Sequence, residues 1–257
     1  CGAALLMALM VFQGTFTSIK NVLPLLNGGF PYDRLHADLD RFLHFGADPW
    51  RWLYSVAALA PIRSVIELNY NVLWFTLCFG ALFFVATAPA ASSVRLRYMA
   101  MFMFVWVVCG NVLAGLFLSA GPAYYGLVTG DAARFAEQLA FLSGSDSMSS
   151  AASYQQYLWK LYAQDRAGFG GGISAFPSVH VGLITMNALF LSEYSRRLGM
   201  IAFAYVAFIC MSSVYLAWHY AIDGYISVLT VTAAYWLTRP ASRRAVPVVA
   251  ALPARAF

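Results

Sequence analysis

Ser174-Ala175-Phe176-Pro177-Ser178-Val179-His180 opens, and His219-Tyr220-Ala221-Ile222-Asp223 closes, the stretch on which the reading of this chain turns. Between them lie an apolar run from Val181 to Leu191, a short turn with Arg196, Arg197 and Gly199, and a second apolar run from Met200 to Trp218. A helix rises about 1.5 Å per residue and a bilayer's hydrocarbon is about 30 Å thick, so two helices of about 17 to 20 residues cross and return. The hairpin therefore predicts that His180 and His219 end on one membrane face.

The chain holds four histidines, and two of them are brought to one end by this hairpin. If the last helix begins near Ala217, His219 and Asp223 share a face at i,i+4 spacing, and the carboxylate reaches an imidazole nitrogen. Such a carboxylate fixes the tautomer and makes the other nitrogen a better nucleophile or base. Ser178 is placed to cap the helix that follows it, with Val179 and His180 in a first turn whose free N–H groups attract an anion. The hairpin reads as a phosphate site.

These residues resemble the type-2 phosphatidic acid phosphatase superfamily. Its second motif, Pro-Ser-Gly-His, reads here Pro177-Ser178-Val179-His180, and its third ends in His219 and Asp223. The wording of both motifs looks closest to the inositol phosphorylceramide synthase branch. The resemblance implies a phosphotransferase moving a phosphoryl or phospho-headgroup unit between lipids. In it His219 attacks phosphorus to form a phosphohistidine, Asp223 orients that ring, and His180 protonates the departing oxygen. It implies no cofactor and no metal. Two features depart from the pattern: Ser212-Ser213 stands where Ser-Arg is expected, and the first motif, Lys, six residues, Arg-Pro, is not present as written. Lys160 with Arg166 is the nearest candidate for it, and with Ser178 would hold the phosphoryl oxygens.

Composition sets the compartment. With 61% hydrophobic and 11% charged residues and a mean hydropathy of +0.67, the chain is far from the soluble average of roughly a quarter charged. It reads as a single all-α integral membrane domain over residues 1–257, with about six transmembrane helices plus interfacial amphipathic helices. The expected spans are Gly2 to Ile19, Ile66 to Ala88, Tyr98 to Ala120, the two arms of the hairpin, and Ala221 to Leu237. Cys1 in place of an initiator Met points to a longer chain. Cys1, Cys78, Cys109 and Cys210 sit in apolar runs without metal-ligand spacing and read as buried thiols. The net charge of +5 is too diffuse for nucleic acid and suits an anionic membrane lipid as substrate.

Residues 27–63 change character. Leu35, Leu39, Phe42 and Leu43 follow helical spacing among Asp33, Arg34, His36, Asp38, Asp40 and Arg41, which predicts amphipathic helices lying at the interface. His36 is a candidate for the substrate pocket; His44 reads as an interfacial polar residue. Residues 121–175 form the longest polar excursion, a loop with a flexible stretch at Ser143–Ser150 and Gly170-Gly171-Gly172 just before the motif. Tyr124 and Tyr125 at its start are candidates to face the same pocket, and equally belt aromatics. Arg95, Arg97, Arg196, Arg197, Arg239, Arg243 and Arg244 all fall on one side, which the positive-inside rule makes cytoplasmic. The motif hairpin, residues 174–223, would then present its histidines on the extracytoplasmic face. Within the enzyme class the alternative is a lipid phosphate or polyprenyl diphosphate phosphatase with water as acceptor; from another class, a transporter or a catalytically inactive scaffold is the competing reading. Against the transporter, the spans are poor in charge and the polar residues gather at one end.

Overall fold

The computed structural model describes residues 2–144, 150–166, 168 and 170–239, and these form helices and no strand. Cys1, most of the expected flexible stretch (residues 145–149), Arg243 and Arg244 lie outside the described residues. In chain order the elements are α1 (Gly2–Asn27), α2 (Asp33–Leu43) and α3 (Pro49–Ala57). Two long helices follow, α4 (Ala60–Thr87) and α5 (Pro89–Leu116). Then come α6 (Tyr125–Thr129), α7 (Ala136–Ser143), α8 (Ala151–Ala163), α9 (Val179–Tyr194), α10 (Arg196–Tyr215) and α11 (Ala221–Leu237).

Among the described residues three helices, α4, α5 and α10, are long and apolar enough to cross a membrane, and α11 is apolar but shorter. This is fewer than the six spans expected. The reason is clearest at α9, whose 16 residues rise only about 24 Å. Its residues from Val181 to Leu189 are all buried, because α4, α5, α10 and α11 pack around it. A helix apolar on every side is a core helix here, wrapped by protein instead of lipid. Its polar residues find partners inside that wrapping. Tyr98 Oη donates to Asn187 Oδ1 at 2.7 Å, and the Thr185 hydroxyl returns to the Val181 carbonyl at 2.7 Å.

α2 is amphipathic as expected, yet its faces are reversed relative to a soluble helix. Asp33, His36, Ala37 and Asp40 are the buried face, while Leu35, Phe42, Leu43 and the following Phe45 are exposed. Apolar groups turned outward fit a hydrocarbon or interfacial environment. Burying carboxylates requires partners for them, and these are found in the turns at the start of α11 and after α5 described below.

The region 121–175 is also more structured than a loop. It contains α6, α7 and α8, of which α7 and α8 reach the end of α10. The last carbonyls of a helix have no partner within it, and this segment supplies them. Gln138 Nε2 donates to Val214 O at 2.7 Å and to Tyr215 O at 3.2 Å. Gln155 Nε2 donates to Leu216 O at 2.8 Å. The Tyr54 hydroxyl of α3 adds a bond to Tyr215 O at 3.1 Å.

Candidate active site

Three turns converge at the end where α9 begins and α10 stops: residues 118–123, 173–178 and 216–220. Ala175 N donates to Ser119 O at 2.8 Å, Ala123 N to Ala217 O at 3.0 Å, and Ser178 N to Asp223 O at 3.2 Å. Close approach makes a glycine necessary at Gly121, where φ is +99° and a Cβ would stand 2.7 Å from the Trp218 carbonyl. Gly172 is in the same position, with φ +89° and the Lys20 side chain and backbone against it.

Ser178 caps α9, its Oγ accepting from Val181 N at 3.4 Å. His180 follows in the first turn and is half-buried. Its ring lies between two aromatic faces of α4, Tyr70 at 4.6 Å and nearly parallel, and Trp74 at 3.9 Å. Trp74 Nε1 also donates to the His180 carbonyl at 3.0 Å. Tyr70 falls within a π-helical turn at Asn69–Leu73, an irregularity frequent at functional sites.

His219 lies in the turn before α11, not within it. The helix begins at Ala221 instead of near Ala217, because Ala217 adopts φ +60° and breaks the chain direction. The pairing with Asp223 nevertheless forms: Nδ1 and Oδ2 are 3.2 Å apart. The same Oδ2 accepts from Tyr220 N at 3.0 Å, so Asp223 serves as both helix cap and ring orienter. Asp223 is fully buried, and its Oδ1 has no hydrogen-bond partner among the described residues. Burial pushes the His219 imidazole well down, to about 3, with the Lys20 charge adding to the effect and the Ala175 carbonyl opposing it. The ring is therefore neutral near pH 7, as a nucleophile must be.

The two rings are 6.5 Å apart, centroid to centroid, close to twice the approach of about 3–3.5 Å that precedes bond formation. Lys20 of α1 is the cation at this place. Its Nζ donates to Ser174 O at 3.3 Å, and its charge is felt by both imidazoles. Sequence reading missed Lys20, since it lies in an apolar helix far from either motif. Its only signal was a lysine inside an otherwise uncharged run.

The other predicted residues fall elsewhere. Lys160 and Arg166 are exposed, and no hydrogen bond of the described residues joins them to the histidines; the cation that arrives is Lys20. Tyr124 and Tyr125 are buried in packing positions. The Tyr124 hydroxyl donates to Gln155 O at 3.0 Å and its ring stacks on Trp159, while Tyr125 packs edge-on against Phe135. His36 is buried directly behind the motif, its ring 4.6 Å from Phe176 and its Nδ1 unpartnered among the described residues. Burial holds its imidazole down at about 4.

The fold and the pocket together define a class: a helical membrane protein with paired imidazoles, an orienting carboxylate and a lysine at one helix end. Comparison with known proteins agrees. The PAP2 superfamily profile matches residues 35–237, and the chain belongs to that superfamily. It is also 41% identical over 49 residues to the inositol phosphorylceramide synthase catalytic subunit aur1 of Schizosaccharomyces pombe, a match covering 19% of this chain and 12% of that protein. No solved structure matches the chain.

Proposed function

We propose that this protein is a membrane-embedded phosphotransferase that moves a phosphoryl or phospho-headgroup unit from a lipid donor to a hydroxyl acceptor through a phosphohistidine on His219. The observation that carries the reading is the gathering of His180, His219, Asp223 and Lys20 at one end of the helices, the rings 6.5 Å apart, Asp223 on His219 and Lys20 on the Ser174 carbonyl. Asp223 holds a proton on Nδ1, which leaves Nε2 with the lone pair that attacks phosphorus. As the N–P bond forms, the P–O bond to the lipid breaks, and its electron pair leaves on the lipid oxygen. His180 gives that oxygen a proton; the arriving phosphate anion favours the charged imidazole that carries it. The acceptor hydroxyl then attacks phosphorus, returns its proton to His180 and frees His219. Lys20 and the first-turn N–H groups of α9 hold the phosphoryl oxygens as charge builds.

The short stretch of similarity to inositol phosphorylceramide synthase supports transfer to an alcohol over transfer to water. The charge asymmetry of the loops supports a pocket on the extracytoplasmic face. The test incubates purified protein with phosphatidic acid or an inositol phospholipid, with and without a ceramide. The expected result is a headgroup-bearing product that depends on the alcohol, and an acid-labile adduct on His219. Free phosphate released equally without any alcohol makes the enzyme a lipid phosphatase, and no turnover with either lipid refutes the proposal.

A further inference from the structure

α2 is neither a motif element nor a span, yet its buried face grips the turn that carries His219. Asp33, His36, Ala37 and Asp40 share that face at helical spacing. Asp40 is 3% exposed, and its two oxygens accept from Ala221 N at 2.6 Å and Ile222 N at 2.8 Å. These are the first N–H groups of α11, which no residue of the helix itself can satisfy. Asp33 is fully buried. It accepts from Ala120 N at 2.7 Å, Gly121 N at 2.9 Å and the Tyr220 hydroxyl at 2.6 Å.

We propose that Asp33 and Asp40 are positioning residues that hold His219 and Asp223 in register by clamping the residue after His219 and the start of α11. The inference rests on the phosphotransfer reading above and adds the machinery that aims its nucleophile. The geometry excludes a looser role. Tyr220 is tied at its hydroxyl by Asp33 and at its backbone N–H by Asp223, while Asp40 fixes the next two residues. The peptide carrying His219 has no freedom left on its α11 side. Because Asp40 already occupies the α11 N-terminus, the anion-attracting helix end left for substrate is that of α9, beside His180. An imidazole misplaced by about 1 Å loses about a hundredfold in rate, so a brace of this kind acts on chemistry more than on binding.

The test uses the full chain in lipid–detergent micelles, with phosphatidic acid and an inositol phospholipid as donors. It reads kcat, KM and, by rapid quench, both the amplitude and the rate of adduct formation on His219. Asp40→Ala is expected to lower the adduct rate and kcat at least thirtyfold with KM within threefold. Asp40→Asn, which keeps one acceptor oxygen, should fall between it and wild type, and Asp33→Asn should behave likewise. Asp38→Asn, at an exposed position of the same helix, should match wild type. If the variants lose adduct amplitude while the sites that remain react at the wild-type rate, the role is structural only and the inference is overturned. It is equally overturned if Asp40→Asn, the variant most secure in folding, keeps wild-type kcat and adduct rate. Wild-type protein that neither forms an adduct nor turns over either lipid refutes the phosphotransfer reading itself, a result distinct from both.

Discussion

At the scale of single residues, the pocket assigns different losses to each side chain. On the proposed route His219 is the nucleophile, so His219→Ala should lower turnover by more than about a thousandfold. The same proposal gives Lys20 the charge that faces phosphate. A charge-assisted hydrogen bond contributes about 1.5–3 kcal/mol, so Lys20→Met should lower kcat/KM about tenfold to a hundredfold. Lys160→Ala and Arg166→Ala are expected to change it less than threefold, because both side chains are exposed and away from the rings. Steady-state kinetics on the four variants separates these outcomes; a larger loss at Lys160 than at Lys20 would reinstate the loop cation. The two imidazoles and Asp223 were legible in the sequence because their spacing is local and their motifs contiguous. Lys20 was not, since its approach depends on how α1 leans against Gly172, a contact with no local signature.

At the scale of elements, each catalytic helix end is held by a partner that sequence periodicity does not report. The His180 ring is set between Tyr70 and Trp74, one turn apart on α4. Trp74→Phe keeps a ring in contact but removes the bond to the His180 carbonyl; it is expected to cost severalfold in kcat. Trp74→Leu removes the stack as well and should cost more, and equal rates for the two would show that the stack contributes nothing. Gln155→Leu strands the Leu216 carbonyl, and an unsatisfied buried acceptor costs about 1–3 kcal/mol. Thermal unfolding in detergent should record a lowered midpoint, with a smaller shift for the exposed Gln156→Leu next to it. The packing of residues 121–175 was not legible in the same way: their glutamines were in plain view, but the bonds they make at the end of α10 join residues 61 to 77 positions apart. For α2 the period was legible and the facing was not. Periodicity gives a stripe, and only the neighbours decide whether its apolar or its acidic side turns inward.

At the scale of the whole molecule, charge divides the protein into two ends. Opposite the histidines, Arg97 pairs with Glu193 at 3.1 Å, Arg239 lies 3.6 Å from the same carboxylate, and Arg95 donates to Val85 O and Ala88 O. Those contacts tie together the α4–α5 turn, the end of α9 and the end of α11. They place in one cluster three arginines that the hydropathy pattern assigns to one side of the membrane. Six spans are not confirmed among the described residues, because hydropathy marks apolar runs but not helix ends, and α9 and α11 stop at 16 and 17 residues. The alternation of ends did emerge, because it needs only the order of apolar runs and short turns. Retention of basic short loops on the cytoplasmic side then predicts that the histidine end faces away from the cytoplasm. Single cysteines at exposed positions test this directly: Asp131→Cys near the histidine end and Ser93→Cys at the arginine-rich start of α5, each in intact cells treated with a membrane-impermeant maleimide. The Asp131→Cys protein should label without permeabilisation and the Ser93→Cys protein only after it. The reverse pattern would place the lipid chemistry on the cytoplasmic leaflet, where its donor and acceptor would have to be sought instead.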